Sequence, residues 1–431
     1  MSESIKLNLE VIPLKEMVPL ESPSEMDFLI RITAPERQIE KARPQLNLGL
    51  VLDRSGSMSG SKIEKAREAA CYCVDQLAAT DRISITVFDD TIQVIVPATP
   101  VEDRRKIKGA IRRITSGGTT ALHAAWVEGA KQVAECAGPA LLNRVLLITD
   151  GLANVGITEP EAIVTQASGL YQRGISTSTI GIGNDFNEDL LVAMAKGAGG
   201  NSWFIEGPED FQRIFETEME GLLREVCSKV NLGIEAANGV EVVDLLNDFD
   251  SSADGSFSLP GLLAGEPLDV VIRLKLPGGV PGRFHCFRLK LEWSEEGTGK
   301  RLSSESAASI AFASAEDAAA QSVNREVQKA VQFLEGARVK CRAMEYLDRG
   351  DYQAASFSIA GQLDALRAIP AASDDSSVSE EIAQLSMLHQ DIDDRKDLAK
   401  ARKSMAYQST NVQRGRREKN RTPDGHKPQG Q

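Results

Sequence analysis

The chain contains one short run in which oxygen-bearing side chains occupy alternate positions: Asp53, Ser55 and Ser57. The run follows the apolar stretch 48–52 directly, a pattern that predicts a strand turning into a helix at this point. Magnesium prefers near-octahedral oxygen coordination and usually keeps part of its sphere for water or an outside ligand. One carboxylate and two hydroxyls therefore predict an open cation site that can bind the acid of a partner.

Spacing excludes two other kinds of site at this run. A phosphate-binding P-loop has Gly-Lys and then Ser or Thr after a four-residue gap, whereas Gly56 leads to Gly60-Ser61-Lys62, with the wrong gap and order. A nucleophile elbow has serine at the centre of G-x-S-x-G, whereas Met58 is central here. The run therefore indicates neither ATP binding nor hydrolase chemistry.

Length and composition set the broad class of the protein. With 431 residues the chain is too long for one ordinary core, since single cores rarely grow past roughly 250–300 residues. The net charge of −13 argues against general nucleic-acid binding, which depends on cationic groups. The start of the chain lacks the pattern of a signal peptide, and no window approaches a membrane span. We therefore expect a cytoplasmic protein that makes no membrane contact.

Cysteine usage agrees with this expectation. The six cysteines are scattered, without a C-x-x-C pair or a histidine at zinc spacing. Such a pattern predicts reduced, mostly buried thiols rather than a zinc site.

Residues 45–227 alternate apolar strands with helical segments, which predicts an α/β domain with a doubly wound, mainly parallel sheet. The predicted strands are 48–52, 82–88, 144–149, 174–183 and 202–205. The predicted helices are 62–77, 101–114, 122–137 and 211–227. The run 144–149 is almost continuously apolar, as expected of a central strand buried on both faces.

The segments on either side differ from this pattern. Residues 1–44 and 228–314 contain short strand-like runs between turn residues, which predicts a β-sandwich with the α/β domain inserted into it. Residues 315–405 predict helices, with Gly350 ending the first arm of a helical hairpin, a polar linker over 372–379 and one last helix to 405. Residues 406–431 predict a disordered basic tail.

The predicted tail could serve as a solubilising segment or as a contact for an acidic partner or RNA. From 402 to 431 the chain has eight Lys or Arg against two acids, a net charge of +6. Nucleic-acid binding is therefore expected only through this segment, if at all.

Further oxygen ligands are expected at the ends of neighbouring strands. Ligands of open α/β sheets bind outside the carboxyl ends of the strands. Thr119 lies in the run Gly-Gly-Thr-Thr before a predicted helix, and Asp150 follows the strand that ends at Thr149. Each alone fits an ordinary cap or turn, but together with the first run they predict one metal site.

This combination, D-x-S-x-S, then G-G-T, then T-D-G, resembles the metal ion-dependent adhesion site of von Willebrand factor type A domains. The resemblance covers about residues 45–225 and implies an intact site in a bacterial-type cytoplasmic protein. It implies that Ser55 and Ser57 bind Mg²⁺, or Mn²⁺ or Ca²⁺, directly, that Thr119 does so when a ligand is engaged, and that Asp53 and Asp150 act largely through water. If Thr119 faces away, Thr120 takes its place.

The resemblance implies metal-dependent recognition of an exposed Asp or Glu on a partner protein, without enzymatic activity. One alternative is an adaptor for an AAA+ ATPase of the chelatase or MoxR kind. A metal-assisted hydrolase is the less favoured alternative, because it requires a base beside the ion. His123 is the only candidate for that base near the predicted site.

Overall fold

The computed structural model describes residues 5–36, 44–138, 140–151, 157–183, 186–205, 210–252, 254–369 and 374–415. Within these residues the chain forms a β-sandwich, an α/β domain inserted into it and a C-terminal group of helices. This is the predicted fold class. In the described ranges, no helix has the length and apolar character needed to cross a membrane. All six cysteines lie in these ranges and are free thiols.

The chain begins with strands of the sandwich. They are β1 (Asn8–Pro13), β2 (Met17–Pro19) and β3 (Ser24–Thr33). The whole of β1 pairs antiparallel with residues 28–33 of β3. After β3 the chain enters the α/β domain.

The strands of the α/β domain form one sheet. They are β4 (Gln45–Asp53), β5 (Arg82–Phe88), β6 (Ile92–Pro100), β7 (Leu141–Thr149), β8 (Ile175–Ile182) and β9 (Gly199–Ile205). The helices are α1 (Ser61–Gln76), α2 (Arg104–Ile111), α3 (Leu122–Ala134), α4 (Pro160–Gln172), α5 (Glu188–Gly197) and α6 (Asp210–Arg224). The strand order is β6-β5-β4-β7-β8-β9, in which only β6 is antiparallel to its neighbour.

β4 and β7 lie side by side at the centre of this sheet. Their residues are buried almost throughout, because apolar clusters cover both faces of the sheet. This explains why the two strands read as continuous apolar runs rather than as alternating ones. The chain first adds strands on one side of β4 and then on the other, so the strand order reverses between β4 and β7.

Several boundaries in this domain differ from the sequence prediction. β6 was not predicted. It is an edge strand, the position in a sheet that tolerates prolines such as Pro97 and Pro100. The helices predicted over 101–114 and 122–137 are shorter, ending at Ile111 and Ala134.

The end of the α/β domain was also placed too late. The last helix was predicted to reach residue 227, but α6 ends at Arg224 and a strand of the sandwich begins at Glu225. Val226 and Val230, whose branched side chains favour strand geometry, lie in this strand.

The chain then returns to the sandwich. The strands are β10 (Glu225–Ala236), β11 (Glu241–Leu245), β12 (Asp250–Ser251), β13 (Phe257–Leu259), β14 (Leu262–Leu263), β15 (Pro267–Leu276), β16 (Gly282–Glu295) and β17 (Arg301–Ala313). One sheet has the order β1-β3-β15-β11, and the other has the order β12-β13-β10-β16-β17-β2 with β14 beside β10. Because β3 pairs with β15 and β2 with β17, the predicted insertion of the α/β domain into a sandwich is confirmed.

The C-terminal helices are α7 (Ala315–Ala320), α8 (Arg325–Asp348), α9 (Tyr352–Arg367), α10 (Ser376–Asp393) and α11 (Leu398–Gln413). Gly350 separates α8 from α9, as predicted, and has the positive φ of +74° that glycine adopts readily. The prediction of one last helix ending at 405 is wrong, because two helices, α10 and α11, occupy this part of the chain.

Part of the predicted disordered tail is therefore helical. α11 continues to Gln413, because its buried face anchors it to the α/β domain. Tyr407 is buried there and stacks on Phe204 at a ring-centroid distance of 5.7 Å. Residues 416–431 of the predicted tail lie outside the described residues.

A buried ion pair fixes the α/β domain to the sandwich. Arg144, on β7, is almost fully buried and donates to Glu225, at the start of β10, over 2.8 Å. The same guanidinium donates to the hydroxyl of Ser178 over 3.1 Å. Glu296 directly follows β16 and lies close enough to this pair for both of its charges to act on the Glu296 carboxyl. Its backbone N–H donates to the carbonyl of Val226.

Burial and the neighbouring Glu225 raise the pKa of Glu296 to about 7. A carboxyl whose pKa is raised by folding contributes most to stability below its unfolded pKa of 4.5 and loses that contribution as the pH rises through about 7. We therefore expect Glu296→Gln to stabilise the chain by about 1–2 kcal/mol at pH 8 and to change nothing at pH 4. Urea unfolding at both pH values measures this, and equal effects at the two would contradict it.

Candidate metal centre

The sequence-predicted residues lie at the point where the strand order reverses. Asp53 ends β4, and Asp150 directly follows β7. In the register of these parallel strands Leu52 is opposite Ile148, so the residues after them leave the sheet at the same level. This reversal point is where open α/β sheets form their ligand crevice.

A chain of hydrogen bonds joins four of the predicted residues. The carboxylate of Asp53 accepts from the backbone N–H of Ser55 over 2.7 Å. The hydroxyl oxygens of Ser55 and Ser57 are 3.1 Å apart, and the Ser57 hydroxyl donates to Oδ1 of Asp150 over 2.7 Å. The structure thus brings Asp53, Ser55, Ser57 and Asp150 together, and we call these four residues the oxygen cluster.

The residues of the oxygen cluster differ in their exposure to solvent. Asp53 and Asp150 have no exposed surface and Ser55 has 2%, whereas Ser57 is exposed. Burial raises the pKa of Asp53 to about 6, even though hydrogen bonds from Thr149 and Ser55 act in the opposite direction. The two carboxylates therefore form the floor of the cluster, and a hydroxyl forms its rim.

This donor set fits a hard divalent cation. The cluster offers carboxylate and hydroxyl oxygens within hydrogen-bonding distance of one another, and such oxygens are the ligands that Mg²⁺ prefers. The described residues hold no group of three or more His, Cys, Asp or Glu side chains placed to bind a metal ion. The centre is therefore built on hydroxyls as much as on acids, which suits Mg²⁺ better than a metal that seeks nitrogen or sulfur.

The Gly-Gly-Thr-Thr loop lies against the first run through its backbone. The N–H of Gly117 donates to the carbonyl of Arg54 over 2.7 Å, and the N–H of Gly56 donates to the carbonyl of Gly118 over 3.0 Å. Gly118 has φ +76°, and a Cβ there would lie 2.5 Å from a carboxylate oxygen of Asp90. Glycine is thus required for this close approach.

The two threonines of this loop occupy different environments. Thr119 is exposed next to Gly118, whereas Thr120 is buried, with its hydroxyl beside Gly151. Among the described residues, no hydrogen bond joins either threonine side chain to the oxygen cluster. The role of Thr119 as a ligand, with Thr120 as its substitute, stays a prediction.

His123 does not extend the centre. Its side chain is 8% exposed and its Nε2 lies 2.9 Å from the amide oxygen of Gln166. Its ring also packs against Trp126, with ring centroids 6.0 Å apart. The imidazole is therefore engaged on the helix side of the sheet.

Sequence reasoning missed two side chains that contact the oxygen cluster. The Thr149 hydroxyl donates to Oδ2 of Asp53 over 2.5 Å, and the ammonium of Lys62 lies 2.6 Å from Oδ2 of Asp150. Thr149 could have been found, because the last residue of a buried strand lies beside the end of the neighbouring one. Lys62 was considered only as part of a failed P-loop pattern, so its long reach from α1 was overlooked.

Comparison with known proteins identifies the domain that carries the centre. The family model of the von Willebrand factor type A domain matches residues 47–217. The chain contains a von Willebrand factor type A domain. The match spans the strands and loops that hold all five predicted site residues, and leaves the sandwich and the C-terminal helices outside it.

Two curated relatives match a larger part of the chain at low identity. The uncharacterized protein sll0103 of Synechocystis sp. is 26% identical over 290 residues, which are 64% of this chain and 68% of that protein. The uncharacterized protein YfbK of Escherichia coli is 29% identical over 208 residues, 48% of this chain and 36% of that protein. This chain thus spans about a third of YfbK.

A solved structure shares the fold beyond the type A domain. The von Willebrand factor type A protein from Catenulispora acidiphila superposes with a TM-score of 0.70 at 17% identity, covering 89% of this chain and 90% of that one. At this identity the likeness concerns the fold alone. It shows that a type A domain together with its sandwich and helices forms a recurring architecture.

Proposed function

We propose that this chain is a metal-dependent protein-interaction module, whose type A domain binds an Asp or Glu side chain of a partner protein through Mg²⁺. The observation that carries the proposal is the oxygen cluster, in which two buried carboxylates and two serine hydroxyls converge at the reversal point of the sheet.

Each residue of the centre has a distinct part in this proposal. Ser55 and Ser57 would hold Mg²⁺ through their hydroxyl oxygens, and Thr119 would join them when a ligand is engaged. Asp53 and Asp150 would act mainly through water, with Thr149 orienting Asp53 as outer hydrogen bonds orient ligands in other metal sites. A bound divalent ion supplies a Lewis-acidic position for one carboxylate oxygen. Mn²⁺ and Ca²⁺ are the alternative ions.

We propose a binding module rather than an enzyme. Metal-assisted hydrolysis needs a base that faces the ion. The nearest candidate, His123, is hydrogen bonded to Gln166 and packed against Trp126 instead. Its buried position supports recognition of an acid rather than activation of water.

The partner is proposed to be a cytoplasmic protein with an exposed Asp or Glu. An adaptor for an AAA+ ATPase is a special case of this proposal, in which the motor or its client supplies the acid. Co-purification of such an ATPase with this chain would select the adaptor role.

Parallel affinity purification tests the proposed function. The chain is used as bait in Mg²⁺ and in excess chelator, beside Asp150→Ala and the control Glu68→Ala, which removes an exposed carboxylate of α1 outside the oxygen cluster. We expect the chain and the control to retain a protein in Mg²⁺ only, and Asp150→Ala to retain none. Replacing acidic residues of the captured protein by their amides should release it.

Capture that persists in chelator, or that survives Asp150→Ala, would contradict the proposal. Circular dichroism of each bait confirms that loss of capture does not come from loss of fold.

A further inference from the structure

The ammonium of Lys62 is the one cationic group in direct contact with the oxygen cluster among the described residues. We propose that Lys62 is a specificity-determining residue, whose charge makes the metal-loaded edge select a carboxylate over a neutral oxygen ligand, at the cost of weaker binding of the ion. This role rests on the proposed function, because it concerns which chemical class of ligand the metal-loaded edge binds.

The contact of Lys62 with the cluster is close and partly shielded. Its Nζ lies 2.6 Å from Oδ2 of Asp150, whose other oxygen accepts from Ser57. Asp150 has no exposed surface, whereas the Lys62 side chain is 28% exposed. The ammonium therefore neutralises a buried carboxylate while it remains partly open to solvent itself.

The position of Lys62 in its helix argues for a role in the centre. It is the second residue of α1, where the helix dipole disfavours a positive charge. Side chains in helices point toward the N-terminal end, so a lysine at this position reaches back over the loop that carries Ser55 and Ser57. Its charge thus lowers the stability of the helix but pairs with Asp150 at the edge of the sheet.

The opposite side of the crevice leaves room for the ammonium. Gly183, which follows β8, has φ +70°, and a Cβ at that position would lie 3.4 Å from Nζ and 3.5 Å from Cε of Lys62. Glycine relieves strain at this φ and also keeps a side chain away from the ammonium. Lys62 thus spans the crevice from α1 toward the end of β8.

A charge count shows what Lys62 changes. Asp53 and Asp150 give the oxygen cluster two negative charges, and Lys62 reduces the total to one. Two other charged groups at this edge do not alter the count. Arg54 pairs with Asp89 at 3.0 Å, and Asp90, beside Gly118, is exposed, so that solvent screens its charge. A divalent ion would then leave the edge with one net positive charge, which a single carboxylate balances. Without Lys62 the loaded edge would be neutral, and a carboxylate would lose that attraction.

The same charge must weaken binding of the ion, because like charges repel at short range. Lys62→Met is therefore expected to bind Mn²⁺ about tenfold more tightly at pH 7.5, as measured by electron paramagnetic resonance of free Mn²⁺. Lys62→Arg, which keeps the charge, should stay close to the unchanged chain. Lys65→Met removes an exposed lysine of the same helix, paired only with Glu68 on the surface, and should have no effect.

Acetate and its neutral isostere acetamide test ligand selection in the same titrations. Because coupling between two ligands is reciprocal, acetate should tighten Mn²⁺ binding by the unchanged chain, and acetamide should not. In Lys62→Met the effect of acetate should fall by at least about threefold. Lys62→Gln provides a second neutral variant, so that the measurement stands if one of them fails to fold.

The outcomes separate the two proposals. Equal or weaker Mn²⁺ binding by the neutral variants, or an undiminished effect of acetate, overturns the role of Lys62 while the metal centre stands. Absence of Mn²⁺ binding by the unchanged chain overturns the metal centre and the role of Lys62 with it.

Discussion

Asp53→Ala is expected to lower the affinity of the chain for Mg²⁺ and Mn²⁺ by about 10- to 100-fold while leaving the fold in place. Asp53 accepts hydrogen bonds from the hydroxyl of Thr149 and the backbone of Ser55, so its loss removes both a negative charge and the group that organises the loop. Titration with Mn²⁺, followed by competition with Mg²⁺, measures the change in affinity.

The same substitution should remove the thermal stabilisation that Mg²⁺ confers. A ligand that binds only the folded chain stabilises it by RT ln(1 + [L]/Kd), so a weaker site loses this effect. The thermal stability of the metal-free chain should not fall with it, because burial makes the ionised form of Asp53 costly and raises the pKa of Asp53 to about 6. Glu68→Ala, which removes an exposed carboxylate of α1, serves as the control, and an equal loss of Mg²⁺ stabilisation in that variant would contradict the assignment.

Arg144→Met is expected to destabilise the chain by about 3–5 kcal/mol, the usual result of leaving one charge of a buried ion pair without its partner. Glu225 would lose the donor that lies 2.8 Å away and would remain buried near the acidic Glu296, whose pKa it already raises. The midpoint of urea unfolding measures the loss.

A second substitution separates the charge from the packing. Arg144→Met with Glu225→Gln removes both charges and keeps most of the volume, and should recover much of the stability. Because the pair joins β7 to β10, both variants should also loosen the inserted domain against the sandwich. If Arg144→Met unfolds at the same urea concentration as the unchanged chain, the pair is not the anchor described above.

Sequence patterns predicted the two central strands of the type A domain, β4 and β7, because the signals for these strands are local. β4 and β7 read as continuous apolar runs since both faces of the sheet are covered. Their carboxyl ends then carry Asp53 and Asp150, so that a single rule about strand ends placed both residues together. The same reasoning placed Ser55 and Ser57, which follow Asp53 at alternate positions.

The residues that were missed depend on contacts far apart in the sequence. Lys62 contacts Asp150, which is 88 positions away in the sequence. The residue pattern of α1 does not predict that contact. Residues 406–413 looked like the start of a polar tail, yet Tyr407 stacks on Phe204. The position of Thr119 relative to the oxygen cluster is likewise a matter of loop conformation, which the motif alone does not fix.

Errors at element ends have a simpler origin. α6 ends at Arg224 because the next residues enter the sandwich sheet, where Cys227 pairs with Glu295. A helix pattern and a strand pattern overlap in that segment, and long-range pairing decides between them. Long-range pairing also explains β6, which forms an edge strand although its two prolines argue against a strand.

The most direct test of the central claim is anomalous diffraction from crystals of the full chain grown with Mn²⁺. We expect one strong peak per chain at the carboxyl ends of β4 and β7, with the hydroxyl oxygens of Ser55 and Ser57 at direct coordination distance from the ion. A peak elsewhere, or an empty oxygen cluster in crystals that bind Mn²⁺ at another place, would contradict it.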